Sequence, residues 1–194
     1  MSFWTGTSSE LLYSSIAAGT AKNTFTTEVA INDTTGMGVQ AHIPADFFLP
    51  NSTTIGKSIR IVARGIFSST ATPTYTFTVR GGAASAITGA IILGSAALTT
   101  GSTVTNQIWE FEGEFTLKTI GASGANSTIV GTGLLSSSGT ANKIDPIYGG
   151  GATPGTVATF DTSITNYINF NVACNTSSAS NTITLQSLQI FGLN

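Results

Sequence analysis

Polar and apolar residues alternate along much of this chain with a period of two, and almost nowhere with the 3.6-residue period of an amphipathic helix. In KSIRIVARGIF (57–67), Ile59, Ile61, Ala63, Gly65 and Phe67 share one face; Arg60, Val62 and Arg64 share the other. In PTYTFTVR (73–80), Tyr75, Phe77 and Val79 oppose Thr74, Thr76, Thr78 and Arg80. The intervening SSTATP reads as a turn, which predicts that the two strands form a hairpin. YINFNVAC (167–174) sets Ile168, Phe170, Val172 and Cys174 against Asn169, Asn171 and Ala173. In NTITLQSLQIFGLN the apolar parity changes between Leu185 and Leu188, which predicts a one-residue bulge near Gln186 and Ser187. Weaker strands are predicted at 10–16, 24–31, 87–93, 126–135 and 156–161. One helical turn is predicted at PADFF (44–48), opened by Pro44.

Between these segments lie turn clusters such as NDTTGMG, ASGANS, SSSGTAN and YGGGATPG. Many short strands joined by Gly-, Ser- and Asn-rich turns predict an all-β, antiparallel sandwich or barrel of about 8–10 strands. No repeat, charged run or Pro-rich linker divides the chain. Residues 136–156 carry no strand pattern, and a loop that long in a compact domain is more often functional or partner-bound than idle.

Composition narrows the function classes. A chain of 194 residues fits one domain and buries roughly 70% of its unfolded surface, so no disulfide or metal is needed to hold it together. Charged residues make up 8%, against about 25% in an ordinary domain, while Ser and Thr together exceed a quarter. With 41% hydrophobic residues and a net charge of −2, the chain lacks the signature of disorder. Its seven basic residues form no cluster, so no nucleic acid is expected as partner. The most apolar stretch, AITGAIILGSAAL (86–98), is too short and too rich in Gly and Ser to predict a membrane span. MSFWTGTSSE shows no secretory pattern. Low net charge leaves self-association unopposed. The single Cys174 falls in an alternating run and is expected to be a small buried apolar residue.

The candidate chemistry centres on IWEFEGEFTLKTIG (108–121), where Glu110, Glu112 and Glu114 alternate with Trp109, Phe111 and Phe115. On a strand the three carboxylates form one row, roughly 7 Å apart at a rise of about 3.3 Å per residue. That spacing resembles a glycosidase pair, but glycosidase carboxylates flank a sugar across a cleft and one needs a raised pKa. A row on one exposed strand face supplies neither. The arginines Arg60, Arg64 and Arg80 fall on the outer faces of the expected hairpin and are expected to face this row, each such pair contributing roughly 0.2–1 kcal/mol. His42 is the only histidine. A triad would need it beside Asp33 or Asp46, and no G-x-S-x-G elbow occurs. One His and one Cys make a poor zinc site, and GGGATPG lacks the Lys of a P-loop. The reading is therefore non-enzymatic, with no catalytic residue, cofactor or metal. Among aromatic residues in loop-like contexts, Trp4 and Tyr148 are the candidates for stacking on a sugar.

Three segments, GMGVQAHIPADFF (36–48), WEFEGEFTLKTIGASG (109–124) and ASNTITLQSLQIFGLN (179–194), resemble small virion proteins of tailed bacteriophages. The resemblance extends, with gaps, from about residue 24 onward. It implies a jelly-roll β-sandwich at 24–194, with residues 1–23 as an extended N-terminal arm. It also implies a capsid decoration (cement) protein made in the host cytoplasm and seated, commonly as a trimer, on the outer capsid, with the major capsid protein as partner. Under that reading Phe3 and Trp4 anchor the arm, since aromatic residues dominate interface energetics. Arg60, Arg64, Arg80, Glu110, Glu112 and Glu114 would then form a second contact surface, between copies. The alternative is a tail, fibre or baseplate component that binds host carbohydrate, with the receptor site in 136–156.

Overall fold

A computed structural model describes residues 9–32, 40–48, 56–83, 88–121, 127–138, 143–150 and 157–193. Thirteen strands occur among the described residues, more than the 8–10 expected, because several are only two residues long. The long ones are β4 (Ser58–Ser69), β5 (Thr74–Gly82), β8 (Val104–Thr119), β9 (Ser127–Ser137), β12 (Asn166–Cys174) and β13 (Thr182–Leu193). The shorter ones are β1 (Ser9–Ser14), β2 (Val29–Ala30), β3 (His42–Ile43), β6 (Ala90–Ser95), β7 (Leu98–Thr99), β10 (Lys143–Gly149) and β11 (Val157–Phe160). The helical turn expected at PADFF is a 3-10 turn at Ala45–Phe47.

All strand pairs are antiparallel, in the order β1-β13-β4-β8-β9-β10-β6-β5-β12-β2. Four of the pairs are nested: β4 with β13, β5 with β12, β6 with β10, and β8 with β9. That is the winding of one long hairpin rolled upon itself, the plan of a jelly roll. The sheet folds over at β10, which pairs with β9 on one side and β6 on the other. One layer then holds β1, β13, β4, β8 and β9, and the other holds β6, β5, β12 and β2.

The core forms where the apolar parities of the two layers meet. Trp109, Phe111, Phe115 and Leu117 of β8 are all fully buried, as are Phe77 of β5 and Phe170 of β12. The Trp109 and Phe170 rings stack 5.8 Å apart, and Phe111 meets Phe170 edge-on at 4.9 Å, arrangements that aromatic quadrupoles favour. Gly113 interrupts the aromatic row of β8 for a steric reason. A side chain there would begin 2.7 Å from Leu93 of the opposite layer, and one at Gly131 would begin 2.3 Å from it. Leu93 fills the notch that the two glycines leave.

Three expectations need correction. β4 and β5 do not form a hairpin: β4 pairs with β13 and β8, β5 with β6, β7 and β12. Their turn carries the chain across the core, so that Phe67 and Tyr75 face each other from opposite layers with rings 5.9 Å apart. Residues 136–156 are not structureless, since β10 runs through them. Pro146 has no N–H to give to a ladder and masks the strand pattern, but it sits just before β10 meets β6 at Ile147–Ser95. Finally, residues 9–23 are not a free arm. β1 pairs with β13, Tyr13 joins the core, and Gly19 and Lys22 hydrogen-bond to the backbone of β13. Residues 1–8 lie outside the described residues.

The expected bulge is present: the β13–β4 register shifts between Leu185 and Ser187 and leaves Gln186 exposed.

Candidate functional site

The outer face of the first layer is built by the polar parity of β4, β8 and β9. Across β4 and β8, Arg64 stands opposite Glu110, Val62 opposite Glu112 and Arg60 opposite Glu114. The glutamate row is therefore an exposed sheet face, met by two of the three arginines from the same subunit. The two arginines behave differently. Arg64 closes on Glu110, with Nη2 at 2.6 Å and Nε at 2.9 Å from Oε1. Arg60 hangs between two carboxylates, with Nε 3.6 Å from Glu112 and 3.9 Å from Glu114, beyond hydrogen-bond distance.

Two hollows flank the Arg60 side chain. One, of about 320 Å³, is lined by Glu112, Glu114, Thr132 and Leu134 together with the paired backbones of Gly113 and Gly133. The other, of about 280 Å³, opens toward β13 and β1 and is lined by Ser9, Val62, Arg64, Glu112, Gln189, Phe191 and Leu193. Tyr148 lies opposite Thr132 across β9 and β10, and Pro146 lies opposite Leu134. The same face exposes Ile108, Leu134 and Ile144.

Arg80 does not join this row. It lies on the outer face of the second layer, because β5 crosses the core instead of pairing with β4. There its Nε and Nη2 each donate at 2.8 Å to Glu28, one to each carboxylate oxygen, and Nη1 donates to the Gly89 carbonyl at 2.8 Å. Glu28 also accepts from the Thr78 hydroxyl and from Asn171 Nδ2. Burial alone would raise the Glu28 carboxyl, but hydrogen bonds from Arg80, Thr78 and Asn171 and the Arg80 charge outweigh it and hold the pKa below the usual value. The hydrogen bonds to Glu28, together with its charge, hold Arg80 above its usual value, against the opposing effect of burial.

The segment that carries Glu28 also covers β12. Asn32 donates to the Ile168 carbonyl at 2.8 Å and accepts from the Phe170 N–H at 2.8 Å. Asn169 and Asn171, whose parity marks them as solvent-facing, are consequently buried. Sequence reasoning missed Glu28. The available signal was a strand presenting asparagines at alternate positions, residues that are rare in strands unless something binds them.

Of the remaining candidates, Phe3, Trp4 and Asp33 lie outside the described residues, and nothing is described of the Asp46 side chain. His42 is half-buried on β3, its Nδ1 3.1 Å from the Gln40 carbonyl, and β3 pairs with β12 in the layer opposite the glutamates. Cys174 is buried, its thiol donating to the Thr176 carbonyl at 3.3 Å. Beside it the Tyr75 phenol is pushed well above its usual pKa, chiefly by burial.

No protein-family model matches the chain, and no curated protein matches it. Among solved structures it is similar to the CBM2 module of the evolved Dit of Lactobacillus casei BL23 phage J-1, at 13% identity over 97% of each chain and a TM-score of 0.35. A likeness at that score bears on neither fold nor role.

Proposed function

We propose that this chain is a structural component of a tailed-phage virion that works by adhesion, as a carbohydrate-binding module of the tail, fibre or baseplate. The virion assignment rests on the resemblance of segments 36–48, 109–124 and 179–194. The adhesive assignment rests on one observation: an exposed sheet face on which Arg60, Glu112 and Glu114 stand beside open hollows with their hydrogen-bonding capacity unspent. The carboxylates lie on an open surface and not across an enclosed cleft, which favours binding over catalysis.

Decoration of the outer capsid, as a trimer on the major capsid protein, is the second reading. The exposed apolar side chains Ile108, Leu134 and Ile144 favour it, since such side chains grouped on one face mark interaction surfaces. Two other supports are weaker than the sequence implies. Residues 9–23, expected to grip the capsid, are bound to β13, and Arg64 is satisfied by Glu110 of its own subunit. Gold-labelled antibody on intact particles separates the two readings. Label at the tail tip is expected; label spread over the head would replace adhesion with decoration.

A further inference from the structure

The two hollows on the outer face share Arg60 and Glu112 as common walls. Together they make one shallow groove that runs across the strands, from Phe191 on β13, past Arg60 on β4 and the glutamates on β8, to Thr132 on β9. Tyr148 on β10, opposite Thr132, continues the same cross-strand row beyond the hollows. Five strands at about 4.8 Å spacing give the row a length of roughly 19 Å. A side chain at Gly133 would begin 2.2 Å from the Glu112 carbonyl oxygen and 2.6 Å from the Gly113 Cα. Only glycine therefore lets β8 and β9 close at this point, and their bare backbones form the floor.

We infer that this groove binds a linear, neutral polysaccharide segment lying across the strands. The inference rests on the adhesive reading above and adds the site, the residues and the ligand class. Sugar rings carry vicinal hydroxyls around their edge and C–H groups on their faces. Among the described residues Glu112 and Glu114 accept no hydrogen bond, because the Arg60 Nε stands off at 3.6 and 3.9 Å. Arg60 is likewise a planar fork of donors not yet docked on either carboxylate. Hydroxyls of one ring can donate to the two carboxylates and accept from the guanidinium. Partly exposed Phe191 and Tyr148, at the two ends of the row, offer flat apolar surface to the C–H faces of flanking rings.

The ligand class follows from charge and shape. Counting Arg64 with the Glu110 that engages it, two arginines and three glutamates leave the groove with a net negative charge, which disfavours uronic, sulfated or phosphorylated sugars. Both hollows are open to solvent, so the groove suits an internal stretch of polymer better than an enclosed chain end. The neighbouring Arg64 also lines the second hollow, its guanidinium already engaged by Glu110.

The test is affinity electrophoresis and titration calorimetry of the full chain with soluble linear glucans, galactans and mannans, heparin as the anionic probe and oligolysine as the cationic one. Binding of at least one neutral glycan is expected, with none of heparin. Arg60→Ala, Glu112→Gln and Tyr148→Ala should each weaken it about tenfold or more, the loss of one charge-assisted or stacking contact. Gln186→Ala, at the exposed bulge of β13 outside both hollows, should bind as the parent does, and melting curves should show all four variants folded. Retention of glycan binding by both Arg60→Ala and Glu112→Gln would overturn the site while leaving the adhesive reading intact. Binding of oligolysine alone would make the groove a protein contact. An intact chain that binds no glycan, on particles labelled over the head, would remove the adhesive reading as well.

Discussion

The outer faces of the two layers each carry arginine paired with glutamate, and the pairs do opposite work. On the second layer, Glu28 and Arg80 meet fork to fork, with about a fifth of each side chain exposed. Thr78, Asn171 and the Gly89 carbonyl complete their hydrogen bonds. That pair fastens the 25–32 segment over β12 and converts an outward row of asparagines into buried structure. On the first layer, Arg60, Arg64 and three glutamates lie on a face where nothing covers them among the described residues, and side-chain exposures run from 36 to 53%. Solvent screens those charges, so their pairing contributes little to stability. Identical chemistry thus fastens the fold on one layer and stays available to a ligand on the other. What separates the two is whether another segment of the chain lies on top.

The largest effect should come from Glu28→Ala. It leaves the Arg80 guanidinium half-buried without its carboxylate and strips an acceptor from Thr78 and Asn171. A loss of about 2–3 kcal/mol in denaturant unfolding is expected, below the 3–5 kcal/mol typical of a fully buried pair because solvent still reaches this one. Arg80→Lys should recover only part, since an ammonium cannot match both carboxylate oxygens in the plane. A loss under about 0.5 kcal/mol for Glu28→Ala would mean that burial does not distinguish the two faces.

A pH titration sharpens the same contrast. The folded Glu28 pKa lies below its ordinary value of 4.5, so the unfolded chain takes up the proton first as pH falls. The stabilisation is complete above about 4.5 and disappears as pH drops through the lower folded value. Unfolding free energy should therefore decline with acid in the parent, with a shallower slope in Glu28→Gln. Parallel slopes would show that Glu28 is not held in its charged form by the fold.

The same contrast explains how far the sequence could be read. Alternation in WEFEGEF assigned every inward and outward side chain of β8 correctly, because a strand has only two faces. The parity break in β13 revealed its bulge for the same reason. Alternation does not say which strand lies next door. SSTATP fits a hairpin or a crossing of the core equally well, and the wrong choice placed Arg80 on the glutamate face. The Asn169–Asn171 row read as solvent-facing because its cover comes from a segment over 130 residues away that has only two residues of strand to announce it. β10 stayed hidden because Asp145 and Pro146 break its pattern while its pairing partners on both sides make good the loss. The glutamates themselves were legible as a face, but the difference between a closed Arg64 and an open Arg60 was not. It depends on side-chain reach across the assembled sheet, where Arg64 closes on Glu110 while Arg60 stands between Glu112 and Glu114.

The smallest expected effect is the most discriminating. Arg64→Ala removes hydrogen bonds of 2.6 and 2.9 Å to Glu110 Oε1, contacts as short as those of the Glu28–Arg80 pair. If geometry set the energy, the two faces would respond alike. With half of the Arg64 side chain and over a third of Glu110 exposed, the loss should instead be about 0.5 kcal/mol. A double-mutant cycle with Glu110→Ala should give a coupling of that size, shrinking further in 1 M salt, where the screening length falls to about 3 Å. A salt-independent coupling above about 1 kcal/mol would place Arg64–Glu110 with the structural pairs, leaving Arg60, Glu112 and Glu114 as the open charged groups of the groove.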